Sequence, residues 1–181
     1  MIELDDITLQ QYINLIDRSR YDFAMKYAFK FTSPVEEYGI GDMRALSFGT
    51  VKDFQYEISR GMGFDRFTIL LLNLIPDVNL PSEPLSKICR FFHYVVNSIA
   101  EISEVEAKAL AHSSTYEELQ AGMDRFADLG IYLQIRTYAL TFHITIDEAR
   151  KVSYNDAFVE LFTQKQLNDY NEELMRLRSP K

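Results

Sequence analysis

The sequence predicts a mainly α protein, a multi-helix single domain over residues 1–181, and three observations carry that expectation. Five helix-start signals are spread along the chain, each placing a hydroxyl where it can cap an orphan amide. Apolar residues recur every three or four positions, the period of a helix with one buried face. The 7 Gly and 5 Pro are too few for the many tight turns of a sandwich or barrel. A short hairpin around residues 34–49 and a subdivision near 76–84 are the alternatives left open within that class.

The elements follow in order. "ITLQQYINLIDR" starts a helix, with Thr8 and Gln11 at capping-box spacing and Ile7 and Tyr12 at the two positions of a hydrophobic staple. A second helical stretch, "RYDFAMKYAFKF", ends at Thr32, Ser33 and Pro34. "SPVEEYGIGDMRAL" then reads as a loop or a short hairpin. "SFGTVKDFQYEISRG" reads as one complete helix. Thr50 is its expected N-cap, Asp53 favours the dipole, Gly61 closes it, and Val51, Phe54, Gln55 and Ile58 fall on one stripe at the spacing of a helical face. "FDRFTILLLNLI" is a continuous apolar run that periodicity alone does not resolve, and helix is the favoured reading over strand.

"PDVNLPSEP" breaks the chain with three prolines. A long helix is expected from Ser82, with Ile88, Phe92, Val95, Val96, Ile99 and Ile102 on its stripe. "HSSTYEEL" carries overlapping boxes, Ser114 with Glu117 and Thr115 with Glu118. Gly122 and Gly130 are expected to break or kink the pattern that follows. "ITIDEARKV" supplies Thr145 with Glu148, and Ser153 starts a last helix marked by Tyr154, Phe158, Leu161, then Leu167, Tyr170, Leu174 and Leu177. No internal repeat or low-complexity tract is visible.

Composition narrows the function. With 47% hydrophobic residues the chain has ample material for a core, and it is rich in aromatics, 13 Phe and 11 Tyr without Trp. A formal charge of -8 and no cluster of lysine or arginine argue against gripping a phosphate backbone, where several cations must share a face. The single cysteine, Cys89, excludes an intramolecular disulfide and suits a reducing compartment. "MIELDDITLQ" is acidic where a signal peptide would be basic. "FTILLLNLIP" is about half the roughly 20 residues of a membrane span, so no membrane partner is expected.

Candidate chemistry is sparse. Cys89 and His93 share a helical face at half of a zinc-site spacing, but His112 and His143 stand alone, so a packed thiol and imidazole are the simpler reading. "GIGD" and "GMGF" lack the lysine and hydroxyl of a phosphate loop. Adjacent carboxylates such as Glu117 and Glu118 point about 100° apart on a helix, which suits helix starts better than acid/base work. There is no serine elbow. The expectation is a non-enzymatic protein with no catalytic residue, no metal ligand and no cofactor; an enzyme would instead present a deep polar pocket with a strongly perturbed titratable group.

The aromatic surplus is the remaining lead. Tyr56, Tyr38 and Tyr132 fall outside the stripes that fill a core, and tyrosine suits protein contacts because one end is apolar and the other tolerates water. Tyr56 lies beside Asp53 and Arg60 on its helix. It is expected, with Arg60, to meet a neighbouring chain or a distant segment of its own.

Four stretches, "ITLQQYINL", "LSFGTVKDFQYEISRG", "AGMDRFADLGIYLQI" and "VSYNDAFVEL", resemble in this order small helical proteins encoded in the structural-gene regions of tailed bacteriophages, those of Bacteroidetes and the crAss-like group being the nearest comparison. The resemblance touches about half of the chain. It implies a virion protein near the portal or head-to-tail junction, or packaged in the particle, with phage structural proteins and copies of itself as partners and no sequence-specific nucleic acid. A tail-assembly chaperone absent from the mature virion is the alternative, and a helical adaptor or an enzyme of the cytosol a further one. In a ring each subunit presents two different patches. An acidic conduit would let DNA slide by repulsion.

Overall fold

The reciprocal pairing of helix starts organises the chain. The computed structural model describes residues 4, 7–19, 22, 37–111 and 130–178. They form an all-α domain: α1 (Leu9–Ile13), α2 (Phe48–Ser59), α3 (Phe64–Leu74), α4 (Leu85–Ala109), α5 (Gly130–Thr141), α6 (Ile146–Lys151) and α7 (Tyr154–Arg178). The residues group into two compact units, Met1–Met43 with Glu57–Ala100 and Arg44–Tyr56 with Glu101–Lys181. The divisions fall within the 3-10 turn Met43–Ala45 and inside α2 and α4. The stretch 20–31 apart from Asp22, both capping boxes at 114–118, His112 and Gly122 lie outside the described residues.

In the first unit the Thr8 box is closed, the Thr8 hydroxyl accepting from the Gln11 amide and the Gln11 side chain accepting from the Thr8 amide. The staple residues Ile7 and Tyr12 are both buried. The start of α1 pairs with the start of α4: the Leu9 amide donates to the Glu83 carbonyl at 3.1 Å and the Leu85 amide to Ile7 at 2.8 Å. Two helices thus satisfy each other's orphan first amides. Pro84 occupies the bridge opposite Thr8, and α4 begins at Leu85, later than the expected Ser82. The shift follows from that bridge, which holds Pro84 outside the helix.

The apolar run at 64–75 is helical, as favoured. Its inner face buries Phe67 and Leu71, while Ile69 and Leu72 face outward. Around it the rings of Tyr12, Phe64, Phe67, Phe91 and Phe92 meet edge-on or tilted at 4.9–6.3 Å. No hairpin forms over residues 37–49. Glu37–Gly39 and Met43–Ala45 are 3-10 turns, and Tyr38 and Gly39 both take positive φ, 64° and 71°, reversing the chain too tightly for two strands to pair.

The second unit repeats the same joint. The Phe48 amide donates to Val152 at 2.7 Å and the Tyr154 amide to Leu46 at 2.9 Å, with Ser47 opposite Ser153. In all four helix starts a bridge residue, Thr8, Pro84, Ser47 or Ser153, is followed by a buried large side chain, Leu9, Leu85, Phe48 or Tyr154. No internal repeat is visible in the sequence because the shared feature is two residues long and its side chains differ.

α2 starts earlier than expected. Ser47 caps it, its Oγ accepting from the Thr50 amide at 3.3 Å, and Thr50 lies in the first turn, its hydroxyl bonded to that same Oγ. Gly61 ends the chain's excursion as expected, with φ 76° and its amide on the Ile58 carbonyl at 2.9 Å. α6 begins with the expected Thr145–Glu148 box, and Gly130 is the first described residue of α5. Where α2 crosses α6, a Cβ on Gly49 would lie 2.8 Å from Arg150 Cβ, so only glycine permits this approach.

Candidate contact surface

The four residues singled out in the sequence have separate surroundings. Tyr38 is half-buried in the first unit, edge-on to Phe91 at 5.2 Å, with Lys87 Nζ 4.4 Å above its ring. Tyr56 and Tyr132 meet in the second unit, α2 against α5, with ring centroids 5.0 Å apart and both half-buried. Arg60 is exposed just beyond α2. Tyr38, Tyr56 and Tyr132 therefore all have ring partners within their own unit, and the partner of Tyr56 is a distant segment of its own chain.

Sequence reading missed a buried polar cluster. Lys52 is fully buried on α2, and its ammonium donates to Glu106 Oε1 at 2.5 Å and to Gln55 Oε1 at 2.8 Å. Gln55 donates to the other Glu106 oxygen at 2.8 Å and to Ser103 Oγ at 3.1 Å, and the Tyr154 hydroxyl donates to Glu106 at 2.9 Å. The rings of Phe48 and Tyr154 flank the ammonium at 5.3 and 5.9 Å. Burial pulls the Lys52 pKa below the ordinary lysine value, and the Glu106 carboxylate opposes that pull. Burial first, then the charge and bond of Glu106, push the Tyr154 phenol well above its usual range.

The signal for this cluster was present but not decisive. Lys52 follows Phe48 and Val51 on the buried side of α2, and Glu106 continues the α4 stripe after Ile99 and Ile102. A charge on an apolar stripe marks a buried pair only when a partner exists elsewhere, and nothing local names that partner. The cluster ties α2, α4 and the first residue of α7 together.

α7 itself divides. It buries only Tyr154 and Ala157, with Phe158 and Leu161 half-buried on the same side. From Phe162 onward every residue to Arg178 is exposed except the half-buried Lys165 and Leu174. The exposed set includes Leu167 at 52%, Tyr170 at 64%, Met175 at 70% and Leu177 at 73%. At about 100° per residue, the stripe Leu167, Tyr170, Leu174, Leu177 is centred roughly 170° from the stripe Tyr154, Ala157, Phe158, Leu161. The helix turns a second apolar face away from the side by which it is anchored.

A cavity of about 640 Å³ opens in the first unit, bordered by Tyr12, Phe64, Phe92, Cys89 and His93 with Arg18 and Asp65 at its rim. The wall surface is largely apolar, with Arg18, Asp22, Asp65 and Arg66 also lining it. Burial pushes the Cys89 thiol up to about 12, which keeps it protonated and unreactive at neutral pH. Among the described residues no group of three or more His, Cys, Asp or Glu is placed to hold a metal, and no helix is long and apolar enough to cross a membrane.

Comparison with family models, with curated proteins and with solved structures finds no match for this chain.

Proposed function

We propose that this protein is a non-enzymatic structural protein of a tailed-phage virion, an oligomeric component near the portal or head-to-tail junction that works through contacts with phage structural proteins and with copies of itself. The observation that carries the contact role is the far part of α7, a helix with a run of leucine and tyrosine side chains turned to solvent. Single exposed apolar residues are ordinary, but exposed Leu167, Tyr170 and Leu177 in register on one helix face, with half-buried Leu174 between them, support a contact surface. The setting in a virion rests on the resemblance of the four stretches quoted above.

The buried cluster supports the same reading in a second way. Lys52, Glu106 and Tyr154 hold the root of α7 with directional bonds, which fixes where the exposed part points. A pair of buried charges adds little net stability, but it specifies one arrangement. A contact helix in an ordered assembly needs that definition more than it needs strength.

The test is quantitative mass spectrometry of purified particles, scaled to the major capsid protein. A fixed copy number in ring-like proportion to the portal is expected. Absence from particles despite expression during infection would overturn the virion reading in favour of an assembly chaperone.

A further inference from the structure

We infer that the exposed face of α7 pairs, parallel and in register, with α7 of a second copy of this chain; this deepens the contact role proposed above and rests on it. Leu167, Tyr170, Leu174 and Leu177 are spaced three, four and three residues apart, the a-d-a-d rhythm by which two helices interlock. The preceding positions of the same frame, Glu160 and Thr163, are polar, so the seam begins at Leu167.

The flanking residues choose the partner and its direction. In this frame Gln166 and Glu173 stand on one side of the seam and Asn171 and Arg178 on the other. A parallel pair brings each residue of the first side against the residue five places later on the second helix. Glu173 then faces Arg178 of the second copy, and Gln166 faces Asn171. Both pairings are complementary, and symmetry supplies each twice. In an antiparallel pair like flanks face like, which sets Glu173 against Glu173.

The contacts within one chain do not compete strongly. Glu173 bonds Arg176 at 2.7 Å, an exposed pair of the kind that contributes little. Lys165 pairs with Asp169 on the outer side of the helix, away from the seam positions. Of the remaining outward positions, Asn168, Glu172 and Arg176 are polar and Met175 is apolar and 70% exposed.

The seam spans about 15 Å at 1.5 Å per residue, short of the area that holds an obligate dimer. The pair therefore forms weakly in dilute solution. It is favoured where copies are already held close, since a tethered contact acts at a high effective concentration.

Cysteine cross-linking of the full chain tests this. In a parallel in-register pair, residues at a seam position lie opposite themselves, so Leu174→Cys and Tyr170→Cys each form a disulfide-linked dimer under mild oxidation at about 100 μM protein, a concentration suited to a weak contact. Asn168→Cys, on the outer face, links at least tenfold more slowly. In the L174C background Glu173→Arg slows linking several-fold, Arg178→Glu does the same, and the two together restore it. Native Cys89 is buried and does not interfere. Failure of L174C to link faster than N168C overturns the proposal, as does linking that appears only when L174C is combined with Tyr170→Cys, the mark of an antiparallel pair. A chain that stays monomeric here yet is found at fixed copy number in particles keeps the virion reading and assigns the face to a different virion protein.

Discussion

The two parts of α7 carry similar side chains and meet opposite fates. Tyr154 is buried and Phe158 and Leu161 are half-buried in the second unit, while Leu167, Tyr170 and Leu177 stay exposed with half-buried Leu174 among them. Hydrophobicity does not distinguish them. What does is a directional anchor at one end, the Tyr154 amide on Leu46 and the Tyr154 hydroxyl on Glu106, together with a break in the apolar spacing. The difference teaches that a helix can be fixed by its first turn and still offer a separate face further along.

The largest expected effect breaks the anchored part. Glu106→Ala strands a fully buried ammonium, Lys52, beside two aromatic rings. Removing one partner of a buried pair costs about 3–5 kcal/mol, and urea unfolding should show a loss of that size. Replacing both partners together, Lys52→Met with Glu106→Leu, should recover most of it, which separates the cost of an orphaned charge from loss of packing.

A backbone change comes next. Gly49→Ala improves helix propensity but forces a methyl to within 2.8 Å of Arg150 Cβ. The expected net loss is about 1–3 kcal/mol, read by thermal unfolding. Tyr154→Phe removes one bond to Glu106, with a cost of about 1–2 kcal/mol.

The pH dependence sharpens the account of the anchor. The Tyr154 phenol is raised in the folded state, so its contribution is intact below its ordinary value of 10.0 and is lost as pH climbs above it. Lys52 is lowered, so the unfolded chain binds the extra proton and stability rises with pH below the ordinary lysine value of 10.5. Cys89, raised from 9.0 to about 12, adds a loss across that interval. Stability should therefore fall in strong alkali. Cys89→Ala should flatten the fall between pH 9.0 and about 12, and Tyr154→Phe the part above 10.0. Unfolding midpoints across that range check both.

The smallest effect belongs to the exposed part. Leu177→Asp should change stability by less than about 0.5 kcal/mol, because the side chain, 73% exposed, already meets water. Its effect should appear in association alone.

Local signals were legible in the sequence and distant ones were not. The boxes at Thr8 and Thr145 were read correctly because donor and acceptor lie three residues apart. The start of α2 was misassigned to Thr50 because Ser47 and Thr50 are both hydroxyls at capping distance. The choice between them is made by the Val152 carbonyl, far along the chain, which takes the Phe48 amide. Lys52 and Glu106 escaped for the same reason, since each is interpretable only with the other in place. The reversal of face along α7 was legible in part: Leu161 to Leu167 is a step that no continuous helical stripe takes.

The most direct measurement of the central claim is the unfolding stability of a chain ending at Gln164, set against the full-length protein in urea. If the far part of α7 is a contact face that its own fold does not use, the two free energies agree within about 0.5 kcal/mol. A loss of about 2 kcal/mol or more would mean that Leu167, Tyr170, Leu174 and Leu177 are held by their own chain, and the contact account would fail with it.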